Sequence, residues 1–179
     1  MSVRYAHEPD AAGHFREAMS RLATTVHIVT ARENGARFGV TVTAVCSLAA
    51  DPLSLVLCLN RKSSALPPIT ATRRLCLNML PEDSASLADR FAGGRGHKGD
   101  ARFQEGSWQD DTHEPPLLIG APAALQCELH EAHPYGTHHV LFCAVRSIHL
   151  SGPSSALLYG GRGYGGFSMP AGDTGRAPQ

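Results

Sequence analysis

The apolar positions change period several times along the chain, and each change marks an element. Phe15, Met19 and Leu22 fall at i, i+4 and i+7, which predicts an amphipathic helix over about residues 12–22 with its apolar stripe on a sheet. Two β-prone runs, Thr25-Val26-His27-Ile28-Val29-Thr30 and Phe38-Gly39-Val40-Thr41-Val42-Thr43, flank Asn34-Gly35. That arrangement predicts a hairpin, because Asn-Gly readily takes the positive φ values of a tight primed turn. Ser54-Leu55-Val56-Leu57-Cys58-Leu59 is almost continuously apolar and is expected to be a strand buried on both faces.

Pro67 and Pro68 fit the first turn of a short helix, where a missing N–H is no loss. Leu75 to Leu80 reads as a further strand and Ser84 to Phe91 as a second helix. Gly93 to Pro116 shows little periodicity and is expected to be a surface loop, mobile or closing over a site. Two more strands are expected over Ala123–Leu129 and His139–Leu150, the second long enough to bend across a barrel. Leu157-Leu158-Tyr159 and a Gly-rich tail complete the chain. Strands dominate and helices are inserted without regular alternation. The pattern argues against a doubly wound parallel sheet and for a mainly β fold with helical insertions, an antiparallel barrel.

The chain has 179 residues and no long Gly/Ser or charged linker, so one domain is expected over 1–179. Lys+Arg and Asp+Glu both number 16, which leaves no electrostatic excess to draw it onto nucleic acid or an anionic membrane. Small molecules or proteins are the expected partners. The opening MSVRYAHEPDAAGH has no apolar signal region, and no run approaches the roughly 18 apolar residues of a membrane span; a cytoplasmic protein is expected. Cys46, Cys58, Cys76, Cys127 and Cys143 lie in apolar runs without a C-x-x-C pair and read as reduced core residues.

Three motifs point to chemistry that the context does not support. Gly94/Gly96/Gly99 and Gly161/Gly163/Gly166 both match G-x-G-x-x-G. The dinucleotide fingerprint needs a strand before it and a helix after it, and neither match has both. His130 and His133, with Glu131, His138 and His139 nearby, suggest a metal site, but on a strand His130 and His133 face opposite ways. No G-x-S-x-G nucleophile elbow is present.

Small hydroxyl residues and glycines concentrate where strands end, at Gly39-Val40-Thr41-Val42-Thr43-Ala44-Val45-Cys46-Ser47 and at Asn60-Arg61-Lys62-Ser63-Ser64. Hydroxyls, backbone amides and one or two cations in such places suit a phosphate and the polar edge of a planar ring. Taken alone, ordinary turn chemistry is the better account of the same residues.

The order of segments resolves that choice. FREAMSRLATTVHIVTA, GVTVTAVCSLAADPLSLVLCLNRKSSA, LCLNMLPEDSASLADRFAG, GTHHVLFCAVRSIHL and LLYGGRGY together resemble the flavin reductase family with the FMN-binding split β-barrel fold, over about residues 14–165. The branches most similar are the reductase components serving 4-hydroxyphenylacetate 3-monooxygenase and the pyrimidine-degradation monooxygenase. The resemblance implies that Gly39, Val40, Thr41, Thr43 and Ala44 line the isoalloxazine edge, and that Cys58, Leu59 and Asn60 flank the ring and ribityl chain. It likewise implies that Arg61, Ser63 and Ser64 hold the phosphate and that Phe91 and Ala92 close over the flavin. His138, Tyr159, Arg162 and Tyr164 match the family's nicotinamide-side residues, with His138 the one candidate catalytic group.

In function, the resemblance implies an NAD(P)H:flavin oxidoreductase of a two-component monooxygenase. Hydride passes from nicotinamide C4 to flavin N5, and reduced FMN or FAD goes to a separate oxygenase. NADH and NADPH stay open as donors, and a homodimer with its site between subunits is implied. Alternatives on the same barrel are a non-catalytic flavin- or haem-binding protein and a pyridoxamine-phosphate-oxidase-like enzyme. The chain departs from the family pattern at Asp51-Pro52-Leu53, in lacking glycine near Thr25, and in the tail Tyr159-Gly160-Gly161-Arg162-Gly163-Tyr164, whose extra glycine is expected to loosen that loop.

Overall fold

The two edge strands of the main sheet are consecutive in the chain, and that fact sets the shape of the molecule. The computed structural model describes residues 10–93, 96–152 and 155–167. Its main sheet is antiparallel and contains β2 (His27–Glu33), β3 (Ala36–Val42), β4 (Val45–Ala50), β5 (Leu53–Asn60), β6 (Arg74–Met79), β9 (Ala123–Tyr135) and β10 (His138–Leu150) in the order β3-β2-β6-β9-β10-β5-β4. Only Thr43 and Ala44 join β3 at one edge to β4 at the other. The sheet therefore curls until its edges nearly meet, and no ladder closes the gap between β3 and β4. It is a barrel with a slit, and Thr43-Ala44 sits in the slit.

Around the barrel lie α1 (Ala11–Ser20), α2 (Leu66–Thr72) and α3 (Ala85–Phe91), a 3-10 helix at Gly99–Gln104, and a two-stranded ribbon of β7 (Trp108–Gln109) and β8 (Leu117–Leu118). A second sheet pairs β1 (Thr24–Thr25) with β11 (Ala156–Gly160), and β11 with β12 (Gly163–Phe167).

Strand periodicity divides the apolar residues between two cores. Val29, Leu57, Leu75, Leu77 and Leu141 fill the barrel with Ile69 of α2. Val26, Ile28, Cys76, Phe91, Phe103 and Leu157 form a second core outside the barrel wall, under α3 and the segment after it. β2 and β6 separate the two cores and are buried on both faces.

The Asn34-Gly35 hairpin forms as predicted, with φ of 49° and 80° at the two turn residues. Other expectations are corrected. β5 alternates: Leu55, Leu57 and Leu59 are buried, whereas Val56 and Cys58 are half-buried, because only one face of this strand meets a core. β4 has no counterpart among the predicted strands; it is a solvent-facing edge strand, and it carries Cys46 to the surface instead of the core. The stripe of α1 covers no sheet: Phe15, Met19 and Leu22 are all exposed, and the helix is tied instead to the tail hairpin, by Gly161 N–H on Ser20 O and by Arg162 on Glu17. The glycine-rich tail is paired as a hairpin as far as Phe167, with Gly161 and Arg162, at φ of 57° and 65°, making the tight turn between β11 and β12. The second G-x-G-x-x-G match is that hairpin; Gly94 of the first lies outside the described residues.

Candidate active site

Two adjoining clefts open along the slit, and Ala92, the C-cap residue of α3, lines both. The first, of about 540 Å³, is bounded by Val40 of β3, by Asn60, Lys62, Ser63 and Ser64 after β5, by Phe91, and by Lys98, Gly99 and Arg102. Three cations and two serine hydroxyls converge there, and no carboxylate is among the lining residues. Such a donor set selects an anion, and a phosphate gains most from charge-assisted hydrogen bonds of this kind.

Arg102 is fixed by backbone rather than by an acid. Its Nη1 donates to Gly39 O at 2.7 Å and its Nε to His97 O at 3.1 Å. Among the described residues no carboxylate pairs with it, so its charge is available to the cleft, and partial burial holds its pKa below the usual arginine value. The sequence pattern predicts a loop for the segment that delivers it; the structure anchors that segment at several points. Phe91, Phe103 and Trp108 pack with ring centroids 5.0 to 5.5 Å apart. Arg90 of α3 donates to Ala101 O at 2.8 Å and to Arg102 O at 3.1 Å. Gly39 is needed at this point, since a Cβ there would sit 2.5 Å from Phe91 Cε1.

The second cleft, of about 440 Å³, is lined by Val26, Thr41, Thr43, Asp89, Tyr159, Arg162, Gly163 and Tyr164 besides Ala92. Thr41 Oγ1 donates to Ala88 O at 2.6 Å, which ties β3 to α3 and leaves the oxygen lone pairs as acceptors. Tyr164 donates to Asp89 Oδ1 at 2.8 Å, and its ring meets Tyr159 edge-on at 5.4 Å. Burial and the Asp89 carboxylate push the Tyr164 phenol up to about 12, so it stays protonated and keeps donating to Asp89. A third, smaller hollow beside Ala44 shares Thr43, Tyr159 and Arg162 with this cleft and adds Arg16 and Met19 of α1.

Most of the residues singled out in the sequence meet here, with exceptions. Leu59 is buried in the barrel core, and Cys58 stands behind the wall with its N–H on Ala44 O at 3.0 Å. Arg61 is exposed and bonds through its backbone to Thr137 O, so the cation of that turn in the cleft is Lys62. His138 is paired with Asn60 at the strand end but is exposed and lines neither cleft; its Nδ1 is 2.9 Å from the Thr137 hydroxyl. His133 pairs with Glu131 at 2.7 Å on the surface. Among the described residues no three metal-binding side chains come together.

A slit barrel with this pair of clefts can be compared with known proteins. A family model for the flavin reductase like domain matches residues 19–168. The chain belongs to that flavin reductase family. It is 42% identical over 156 residues to FMN reductase (NADH) RutF 1 of Methylorubrum extorquens, covering 87% of this chain and 77% of that one. It is 39% identical over 146 residues to the 4-hydroxyphenylacetate 3-monooxygenase reductase component of Salmonella dublin, covering 82% and 86%. Among solved structures, a flavin reductase domain protein from Arthrobacter superposes with a TM-score of 0.78 at 29% identity, over 91% of this chain and 99% of that one. The slit barrel is thus the split barrel of the flavin reductases.

Lys98 and Arg102 are not legible in the sequence as site residues of this flavin reductase. They lie in a glycine-rich stretch without periodicity, and the Arg90 bonds, the Arg37–Asp100 ion pair and the aromatic anchors bring them to the cleft.

Proposed function

We propose that this protein oxidises NADH and reduces FMN, with the phosphate of the flavin in the cationic cleft and its ring over Thr41 and Thr43 in the adjoining one. The observation that carries this reading is the first cleft: Lys62, Lys98 and Arg102 with Ser63 and Ser64 and no opposing carboxylate, continuous past Ala92 with a cleft of ring-edge hydroxyls. The names of the relatives, an NADH-dependent FMN reductase and a monooxygenase reductase component, point the same way.

Hydride transfer between nicotinamide C4 and flavin N5 is chemistry that the two cofactors supply when bound. The chain's own residues then bind, orient and exclude. The serine hydroxyls and the three cations would hold the phosphate, Val40 and Phe91 would bound the ribityl side, and the backbone of Gly39 to Ala44 would present the ring edge. Tyr159, Arg162 and Tyr164 would face the nicotinamide dinucleotide, and His138, paired with Asn60 at the strand end, would meet the ligand on approach. Both clefts are open to solvent, which suits a flavin that leaves once reduced for a separate monooxygenase.

The protein acts as a homodimer in the cytoplasm. An apolar groove of about 610 Å³ lies beside the exposed edge strand β4, with Leu48, Leu53 and Ile148 each about half exposed around it; a second copy covers it. Among the described residues no helix is long and apolar enough to cross a membrane.

The test is loss of the reduced-nicotinamide absorbance with NADH or NADPH, in the presence of FMN, FAD, riboflavin or no flavin. Turnover that requires added flavin supports the reading; tight flavin binding without turnover sinks it and favours a binding protein. Sedimentation of the protein against its Leu48→Glu variant tests the dimer, which the variant should dissociate.

A further inference from the structure

Arg162 is the cation of the second cleft, and its guanidinium is turned away towards α1. Nη2 lies 2.9 Å from Glu17 Oε2. The backbone beside it is fixed to the same helix, with Gly161 N–H on Ser20 O at 2.7 Å. Glu17 has a second cation in reach, Arg21, whose Nε is 3.5 Å from Oε1 one helical turn on. Both members of the Glu17–Arg162 pair are at least half exposed. An exposed pair of this kind is weak and is broken by modest competition.

We infer that Glu17 is a positioning residue that competes with the nicotinamide dinucleotide for Arg162. With no dinucleotide bound, Arg162 is parked on Glu17. When the pyrophosphate enters, Arg162 swings from Glu17 to the phosphate oxygens, and Glu17 stays neutralised by Arg21. The turn that carries Arg162 keeps its place throughout, because its anchor to Ser20 is backbone to backbone. The contact with Glu17 is a single Nη2–Oε2 bond, and Glu17 is shared with Arg21, whereas a phosphate diester can take a bidentate pair from the free guanidinium. α1, which carries Glu17 and whose apolar stripe is largely exposed, thereby sets the affinity for the electron donor.

This rests on the proposed reading that Arg162 faces the dinucleotide. Steady-state kinetics with saturating FMN and varied NADH separate the two. In Glu17→Gln the KM for NADH should fall by about two- to fivefold, the size of an exposed ion pair, with kcat unchanged. In the Arg162→Gln background the same Glu17→Gln change should have no effect on KM, since nothing remains to release. An unchanged or raised KM in Glu17→Gln overturns the inference, because Glu17 would then be inert or would hold Arg162 in its working pose. An equal fall in KM in the Arg162→Gln background also overturns it, because Glu17 would act as a bulk charge and not through Arg162. Absence of NADH oxidation by the wild-type protein with every flavin would instead remove the reductase reading itself.

Discussion

Arg102 Nη1 donates to the backbone carbonyl of Gly39 at 2.7 Å, so a side chain from a loop and a strand of the barrel share one hydrogen bond at the floor of the cationic cleft. The guanidinium reaches the cleft with its orientation already set. Arg102→Met keeps the apolar stem and removes the charge. KM for FMN should rise by roughly tenfold or more, as expected for a charged hydrogen bond of about 1.5–3 kcal/mol. KM for riboflavin, which has no phosphate, should change little. Equal losses on both flavins would show that Arg102 acts only by bracing Gly39.

Gly39 is the close approach that lets Phe91 lie on β3. A Cβ at this position would meet Phe91 Cε1 at 2.5 Å and Cδ1 at 2.8 Å, and Phe91 is fully buried with no room to retreat. Gly39→Ala should destabilise by about 1–3 kcal/mol through overpacking. Thermal unfolding measures this, and Phe91→Leu should relieve part of it, so the double variant should lose less than the sum of the single ones.

Asn78 on β6 is fully buried and stitches the sheet to the segment over it. Its Nδ2 donates to Ile28 O at 3.2 Å, and its Oδ1 accepts the N–H of Leu118 at 2.8 Å. Thr30 supports the same contact by donating to Pro116 O at 2.6 Å. Asn78→Leu strands the buried Leu118 N–H, for a loss of about 1–3 kcal/mol. Tm should fall by several degrees, and amide exchange around β8 should quicken. A Tm equal to wild type would refute this role.

His27 is buried where β2 meets the apolar groove, and desolvation lowers its pKa from 6.5 to about 4, partly offset by backbone contacts at Thr25 and Val42. The folded state therefore takes up the proton later than the unfolded one. Stability from the neutral imidazole is complete above pH 6.5 and is lost as pH falls towards about 4, by an amount of roughly 3 kcal/mol. Unfolding midpoints should drop across that window in the wild type and drop less in His27→Gln. Parallel curves for the two proteins would count against it.

Local signals are legible in the sequence and long-range ones are not. The Asn34-Gly35 turn, the Pro67-Pro68 helix start and the runs that form β2, β3, β5 and β6 follow from the chemistry of neighbours in sequence. The edge strand β4 escapes because its residues face solvent on an unpaired edge, where no burial imposes a period. The turn after β5 is recognisable as a phosphate-binding candidate, but its spacing does not tell whether Arg61 or Lys62 points into the cleft. Lys98 and Arg102 depend on Arg90 and on three aromatic rings from separate segments, and Glu17 on a turn far along the chain. None of these has a signature within a short window.

Glu17 and Arg162 are 145 residues apart in sequence, and among the described residues β1 beside α1 pairs only with β11. On the ribosome the strands of the barrel are all synthesised before this wall. Every residue that lines the cationic cleft is synthesised before the β11–β12 hairpin, so under the proposed assignment of the clefts the flavin site is encoded ahead of the wall that completes the donor site.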